Sequence, residues 1–182
     1  MSQNNYNQRI VELLLKSENH IRGMAKALGT NQTTIARKVT ELSEENIVDF
    51  KQEGRNKVVF LKKTLEAKQA AYDSESNKVI EILQKYPHLR RIIEEIRKNE
   101  KITLAVLFGS YAKGIAKKDS DIDIYIDTKD TKIKEEIEHI DSKISVKIGN
   151  YNKGSLLIKE IEKNHVIIKG VEAYYEKSKF FD

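Results

Sequence analysis

In the stretch VLFGSYAKGIAKKDSDIDIYI, residues 106–126, a Gly-Ser pair separates two apolar runs, and two aspartates open the second run. No other part of the chain so narrows the folds it can adopt. Residues 102–108 read as a strand that enters a turn at Gly109-Ser110. A short basic segment follows, and Asp121-Ile122-Asp123-Ile124 opens a second strand. Side chains alternate along a strand, so Asp121 and Asp123 are expected on one face and Ile122, Ile124 and Ile126 on the other. Neighbouring carboxylates repel, and a folded chain keeps such a pair where water or a cation compensates it. Magnesium, a hard cation that takes carboxylate oxygens together with phosphates, is the expected compensator, with manganese as the alternative. Gly109 supplies a turn free of side-chain bulk. Ser110 adds a hydroxyl at a helix start, where backbone N–H groups suit phosphate oxygens. Lys113, Lys117 and Lys118 follow closely enough to attract an anionic ligand.

Taken singly, each feature is bland: Gly-Ser is a turn, and Asp-x-Asp at a strand start is often a solvated edge. Their combination, in strand–turn–helix–strand order across a short spacer, is far more specific. The stretch resembles the nucleotidyltransferase superfamily of DNA polymerase beta. It looks most like the minimal (MNT-type) members, whose signature is Gly-Ser, a spacer, then Asp-x-Asp. The resemblance covers residues 101–171. It implies that Gly109 and Ser110 hold the nucleoside triphosphate, and the nearby Lys113 and Lys118 are expected to bind it through their charge. It also implies that Asp121 and Asp123 are the catalytic, magnesium-binding acids. These enzymes usually carry a third carboxylate on the strand after the next helix. Here that strand is expected at 144–149, with Ile144, Val146 and Ile148 on one face. Ser145 and Lys147 then stand where the acid belongs. Asp141 could substitute only if the chain bends it inward, and Lys147 could replace part of a metal's charge.

Upstream, Gln8 to Lys16 reads as a helix, and Ile21, Met24, Ala25 and Leu28 give a second at i, i+3, i+4, i+7 spacing. Gly29 suits a left-handed C-cap, and Thr30-Asn31 offers a side-chain oxygen to start a third helix, about 32–45. Residues 47–50 and 57–61 read as a hairpin around Gly54. A hairpin after a helix-turn-helix is the winged-helix arrangement, and residues 8–63 resemble that family. The third helix offers Gln32, Thr33, Thr34, Arg37 and Lys38 to double-stranded DNA, while Arg55 and Lys57 at the wing reach the adjacent backbone or minor groove. Charge placement agrees: residues 1–72 hold 12 of the 33 basic but only 8 of the 28 acidic residues.

Residues 64–99 are charged and helical, interrupted at Pro87, with a linker helix up to Ser76. Beyond the aspartates, 131–142 reads as an amphipathic helix and Ser155 starts another with Leu156, Leu157, Ile158 and Ile161 as its apolar cluster. A short strand at 166–168 leads to the aromatic tail, and His165 reads as structural. The fold class expected is α+β: a winged helix-turn-helix domain over 1–76, then a small nucleotidyltransferase domain over 77–182 with a mixed sheet flanked by helices. No apolar run approaches the ~20 residues that span a bilayer, and the N-terminus has no leader pattern, so a cytoplasmic protein is expected. The absence of cysteine excludes disulfides and thiolate zinc sites.

Two functions are consistent with this. One is transfer of a nucleoside monophosphate to an unknown hydroxyl acceptor on protein, RNA or a small molecule, coupled to DNA binding. The other is a DNA-binding regulator whose transferase-like domain only binds nucleotide. By resemblance, the partners expected are a nucleoside triphosphate, double-stranded DNA and a small helical HEPN-type protein. A homodimer is expected because winged helices commonly bind DNA in pairs.

Overall fold

The computed structural model describes residues 4–54 and 56–182, and its chain divides into two compact units. The first comprises 1–74 with 181–182, the second 75–180. In the first unit, helix α1 (Asn4–Lys16) leads through a two-residue strand β1 (Asn19–His20) to α2 (Ile21–Ala27) and α3 (Gln32–Glu44). Helix α1 begins at Asn4, ahead of the Gln8 start that its apolar spacing suggests. Gly29 takes a left-handed φ of 63° between α2 and α3, and the amide of Thr30 then donates back to the Ala25 carbonyl at 3.0 Å. Asn31 caps α3, its Oδ1 accepting from the Thr34 amide at 2.7 Å. Strands β2 (Val48–Glu53) and β3 (Asn56–Leu61) form the hairpin, and β1 adds to β3, giving an antiparallel sheet in the order β1-β3-β2. Ile10, Leu14, Met24, Ile35, Val39, Leu42, Val48 and Val59 are buried, bringing together the stripes predicted from helical spacing. This is the winged helix-turn-helix order.

Helix α4 (Leu65–Lys85) runs unbroken through the segment expected to be a linker, and the division between units falls inside it, between Ser74 and Glu75. Both of those polar residues are buried.

In the second unit, Pro87 lies in a turn ahead of α5 (Leu89–Lys98) rather than within its first turn. The order is then β4 (Ala105–Leu107), α6 (Gly109–Ala112), β5 (Ile122–Ile126), α7 (Thr131–Glu138), β6 (Ile144–Ile148), α8 (Leu156–Lys163), β7 (Val166–Lys169) and α9 (Val171–Ser178). The sheet order is β6-β5-β4-β7; β5 and β6 run parallel, while β4 is antiparallel to both β5 and β7. The expected mixed sheet is therefore present. Strand β4 is shorter than the apolar run 102–108, and its pairing with β7 shifts register between Ala105 and Val106. Helix α7 ends at Glu138, short of the expected Ser142. Ile122, Ile124, Ile126, Ile133, Ile137, Val146 and Ile168 share one core with Ile92, Ile93 and Ile96 of α5. Among the described residues, no helix is long and apolar enough to cross a membrane.

Candidate functional site

Antiparallel pairing of β4 with β5 brings Gly109 against Asp123. The ladder continues one step past β4, the Phe108 amide donating to the Asp123 carbonyl at 3.0 Å. Gly109 then starts α6 with φ 67°, a left-handed conformation that disfavours a side chain. A Cβ built there would overlap Oδ2 of Asp123, with Cγ next at 3.1 Å. The carboxylate thus lies on the bare face of the glycine. Tyr111 anchors the short helix from below: it is buried, its hydroxyl is 3.1 Å from His88 Nε2, and its ring meets Tyr86 edge-on at 4.8 Å.

Asp121 stands one residue ahead of β5 rather than inside it, and it is exposed. Asp123 is half-buried on the face of β5 opposite Ile122, Ile124 and Ile126, as alternation requires. Burial pushes the Asp123 carboxyl above the usual carboxylate range, and the charges of Asp121 and Glu160 push the same way, while Lys147 and Lys113 oppose them. In parallel register Ser145 lies beside Asp123 and Lys147 beside Tyr125, so no acid of β6 faces the pair. Asp141 is exposed, its Oδ1 accepting from the Lys143 amide at 2.9 Å. Asp127, the first residue past the end of β5, is fully engaged. Its Oδ1 accepts from the Tyr151 amide at 2.8 Å and from the Tyr125 hydroxyl at 3.2 Å, and Oδ2 pairs with Lys177 at 2.8 Å.

Lys113 caps the end of α6 and places its ammonium 3.5 Å from Oε1 of Glu160 on α8. Glu160 drew no notice in the sequence, where it sits among the alternating charges of a surface helix. Lys118 is exposed in the spacer, its carbonyl accepting from the Lys143 ammonium at 2.6 Å. Ser110 is half-buried at the second position of α6. Gly109, Ser110, Lys113, Asp121 and Asp123 thus belong to one corner of the sheet. Among the described residues, no three His, Asp or Glu side chains gather closely enough to cage a metal ion. The donor chemistry nonetheless fits a hard divalent cation: Asp121 and Asp123 offer neighbouring carboxylate oxygens beside a glycine that bears no side chain. Leu156, expected in the apolar cluster of α8, is instead 85% exposed, because it precedes the buried Ile158 by two residues and so falls on the opposite side of the helix. His165 is structural in its contacts, with Nδ1 2.8 Å from the Ile161 carbonyl and the ring 4.7 Å from that of Tyr174.

On the winged-helix unit, Gln32, Thr33 and Arg37 are exposed on α3, and Thr34 is half-buried with its amide spent on the cap. Lys38 does not join them. It is buried and holds Glu41 Oε2 at 2.6 Å, because it follows Ile35 by three residues and so shares the inward face with Val39 and Leu42. Lys57 is exposed on the hairpin with its ammonium 5.6 Å over the Phe50 ring. Arg55 lies outside the described residues.

No curated protein matches the chain. Among solved structures it is similar to a homodimeric winged helix-turn-helix DNA-binding domain from Mycobacterium bovis, a possible ArsR-family transcriptional regulator. The identity is 21% over 44% of this chain and 71% of that one, with a TM-score of 0.36. It is also similar to the adhesin competence repressor of Streptococcus pyogenes, at 22% identity over 48% of this chain and 65% of that one, TM-score 0.40. A third likeness is to a toxin-antitoxin structure with AMP-PNP, at 20% identity over 58% of this chain and 79% of that one, TM-score 0.34. At such TM-scores these likenesses are partial. The second unit is matched directly: residues 90–172 fit the family model described as Polymerase beta, Nucleotidyltransferase.

Proposed function

We propose that the second unit transfers a nucleoside monophosphate from a nucleoside triphosphate to a hydroxyl acceptor. The observation that carries this is Asp123 seated on the bare face of Gly109, with Asp121 beside it, inside the segment that matches the nucleotidyltransferase family. Asp121 and Asp123 would hold magnesium, or manganese in its place, which when bound neutralises phosphate charge and the developing charge on pyrophosphate. Gly109 and Ser110 let the triphosphate approach the backbone, and Lys113 and Lys118 supply positive charge to orient it. The acceptor oxygen bonds to the α-phosphorus, the bond to the bridging oxygen breaks, and pyrophosphate leaves as the hydroxyl proton passes to a carboxylate of the site. By family resemblance, a HEPN-type protein is one acceptor to test. The first unit would bind double-stranded DNA through Gln32, Thr33, Thr34 and Arg37 with Lys57 at the wing, and a homodimer would match a two-fold operator. The setting would be the cytoplasm. Incubation with labelled triphosphates in magnesium should label an acceptor in wild type, and Asp121→Ala with Asp123→Ala should abolish it. Labelling that survives the double substitution would remove the assignment.

One observation favours a second reading, a regulator that binds nucleotide without turnover. Beside the aspartates, β6 presents Ser145 and Lys147 instead of an acid, and the Lys147 ammonium acts on Asp123 as a partial substitute for a cation. In that case triphosphate would bind without release of pyrophosphate and would change the affinity for DNA.

A further inference from the structure

Helix α6 is four residues long, far too short to hold its shape unaided. It lies between two glycines in the left-handed region, Gly109 with φ 67° and Gly114 with φ 68°, so both of its ends are backbone hinges. Its near end is tied to β5 by the Phe108 amide on the Asp123 carbonyl. The rest is held from outside, by the turn that joins α4 to α5. There the Lys85 ammonium donates to the Gly114 carbonyl at 2.6 Å, and His88 Nε2 is 3.1 Å from the Tyr111 hydroxyl. Tyr86, between the two in the chain, packs its ring edge-on against Tyr111. The turn itself is stiff. Pro87 restricts its backbone, the Tyr86 amide donates to the Ile82 carbonyl at 2.8 Å, and the Leu89 amide donates to the Tyr86 carbonyl at 3.1 Å. We propose that Lys85 and His88 are positioning residues for the triphosphate, a clamp that sets the turn from Gly109 to Gly114 before the ligand arrives. The inference rests on the nucleotide reading of that turn.

The two side chains grip the residues that close the turn. The Gly114 amide donates to the Tyr111 carbonyl at 2.9 Å, and the Ile115 amide donates to the Ser110 carbonyl at 3.0 Å. A cation suits the carbonyl end of a helix, and the Lys85 ammonium supplies one just past α6. A turn ordered in advance binds without the penalty of being ordered on contact. Freed of the clamp, the glycine hinges leave Ser110 to be ordered by the ligand itself. Lys85 and His88 thus act through Gly114 and Tyr111 and need not touch a phosphate.

The test titrates the full chain, loaded with manganese, with inorganic tripolyphosphate by calorimetry. Each variant is also melted, and its uptake of manganese alone is read by electron paramagnetic resonance. Lys85→Met should bind tripolyphosphate about tenfold more weakly, the scale of one charge-assisted hydrogen bond. His88→Leu and Tyr111→Phe should each weaken it about fivefold, and the double variant no further, because both remove the same bond. His88→Gln should restore most of the affinity lost in His88→Leu. Uptake of manganese alone should match wild type in all of these variants. Wild-type tripolyphosphate affinity in Lys85→Met and His88→Leu, with only their melting midpoints lowered and Asp123→Asn still unable to bind, would overturn the clamp and leave the site intact. Losses that add in the double variant would overturn it as well. Failure of wild type itself to take up tripolyphosphate would overturn the nucleotide reading, and the clamp with it.

Discussion

Asp123 rests its carboxylate on the α-carbon of Gly109, so that any side chain at 109 and the acid at 123 would compete for one volume. The φ of 67° adds a second penalty, about 1–2 kcal/mol for a non-glycine residue in the left-handed region. Gly109→Ala should therefore lower the thermal midpoint and displace Asp123 together. Loss of about 1.4 kcal/mol of ligand interaction would read as a tenfold weaker affinity for manganese tripolyphosphate. Calorimetric titration and thermal unfolding of the same sample check both. An unchanged affinity would mean that Asp123 moves aside freely.

Glu75 sits in α4 with only 2% of its surface exposed, and its Oε1 takes the Lys78 ammonium at 2.6 Å and the Tyr175 hydroxyl at 3.4 Å. Burial alone would raise its carboxyl, yet the His165 imidazole and the Lys78 charge outweigh burial and hold it below the usual carboxylate range. A depressed acid stabilises the fold above its unfolded pKa, and that stability is lost as pH falls through the folded value. Wild type should therefore lose stability as pH drops below the ordinary carboxylate range, and Glu75→Gln should flatten that fall. At neutral pH the same substitution should cost about 3 kcal/mol, since it strands Lys78 and His165 without their anion. Urea unfolding across a pH series measures both effects. A parallel pH response in the two proteins would show that Glu75 is not the group responsible.

The aspartate pair and its glycine could be read from the chain because alternation in a strand and the special conformation of glycine are local properties. What depends on distant residues could not. Glu160 finds Lys113 across the fold, and Glu75 looks like part of a linker although His165 and Tyr175 give its buried carboxylate partners. The burial of Lys38 was in fact legible: counting from Ile35 puts it on the apolar stripe, but its charge suggested the outer face. A lysine with a carboxylate one turn away can lie along such a stripe and keep its head group paired.

That distinction separates two lysine-or-arginine substitutions on α3. Arg37 is 59% exposed in its side chain, 4.0 Å from Glu41, and free to meet a phosphate. Arg37→Ala should weaken DNA binding and reduce the slope of log affinity against log salt by about 1, leaving stability nearly unchanged. Lys38→Ala should instead lower the unfolding midpoint, because it removes a buried stem and leaves Glu41 without its 2.6 Å partner. Fluorescence anisotropy with duplex DNA at several salt concentrations, beside thermal melts, tells them apart. A salt slope lowered by Lys38→Ala and not by Arg37→Ala would reverse the assignment.

Asp123 on β5 and Asp127, the first residue past that strand, should respond oppositely to the same change. Asp127 is a structural acid, satisfied by one amide, one hydroxyl and one ammonium. Asp127→Asn discards the ion pair with Lys177 and replaces an acceptor oxygen with an NH2 donor that faces other donors, and it should destabilise the protein by about 2 kcal/mol. Asp123 carries the reverse balance: burial and the charges of Asp121 and Glu160 all disfavour its anion, against Lys147 and Lys113. Because its folded pKa is raised, stability falls as pH climbs from the usual carboxylate range through the folded value. Asp123→Asn removes that penalty, so at neutral pH without divalent cations it should match or exceed wild type in stability. Added magnesium should stabilise wild type and leave Asp123→Asn unmoved, since only a ligand that binds the folded state raises the midpoint. Thermal melts with and without magnesium decide the matter: a midpoint that drops in Asp123→Asn would make it a scaffold residue like Asp127.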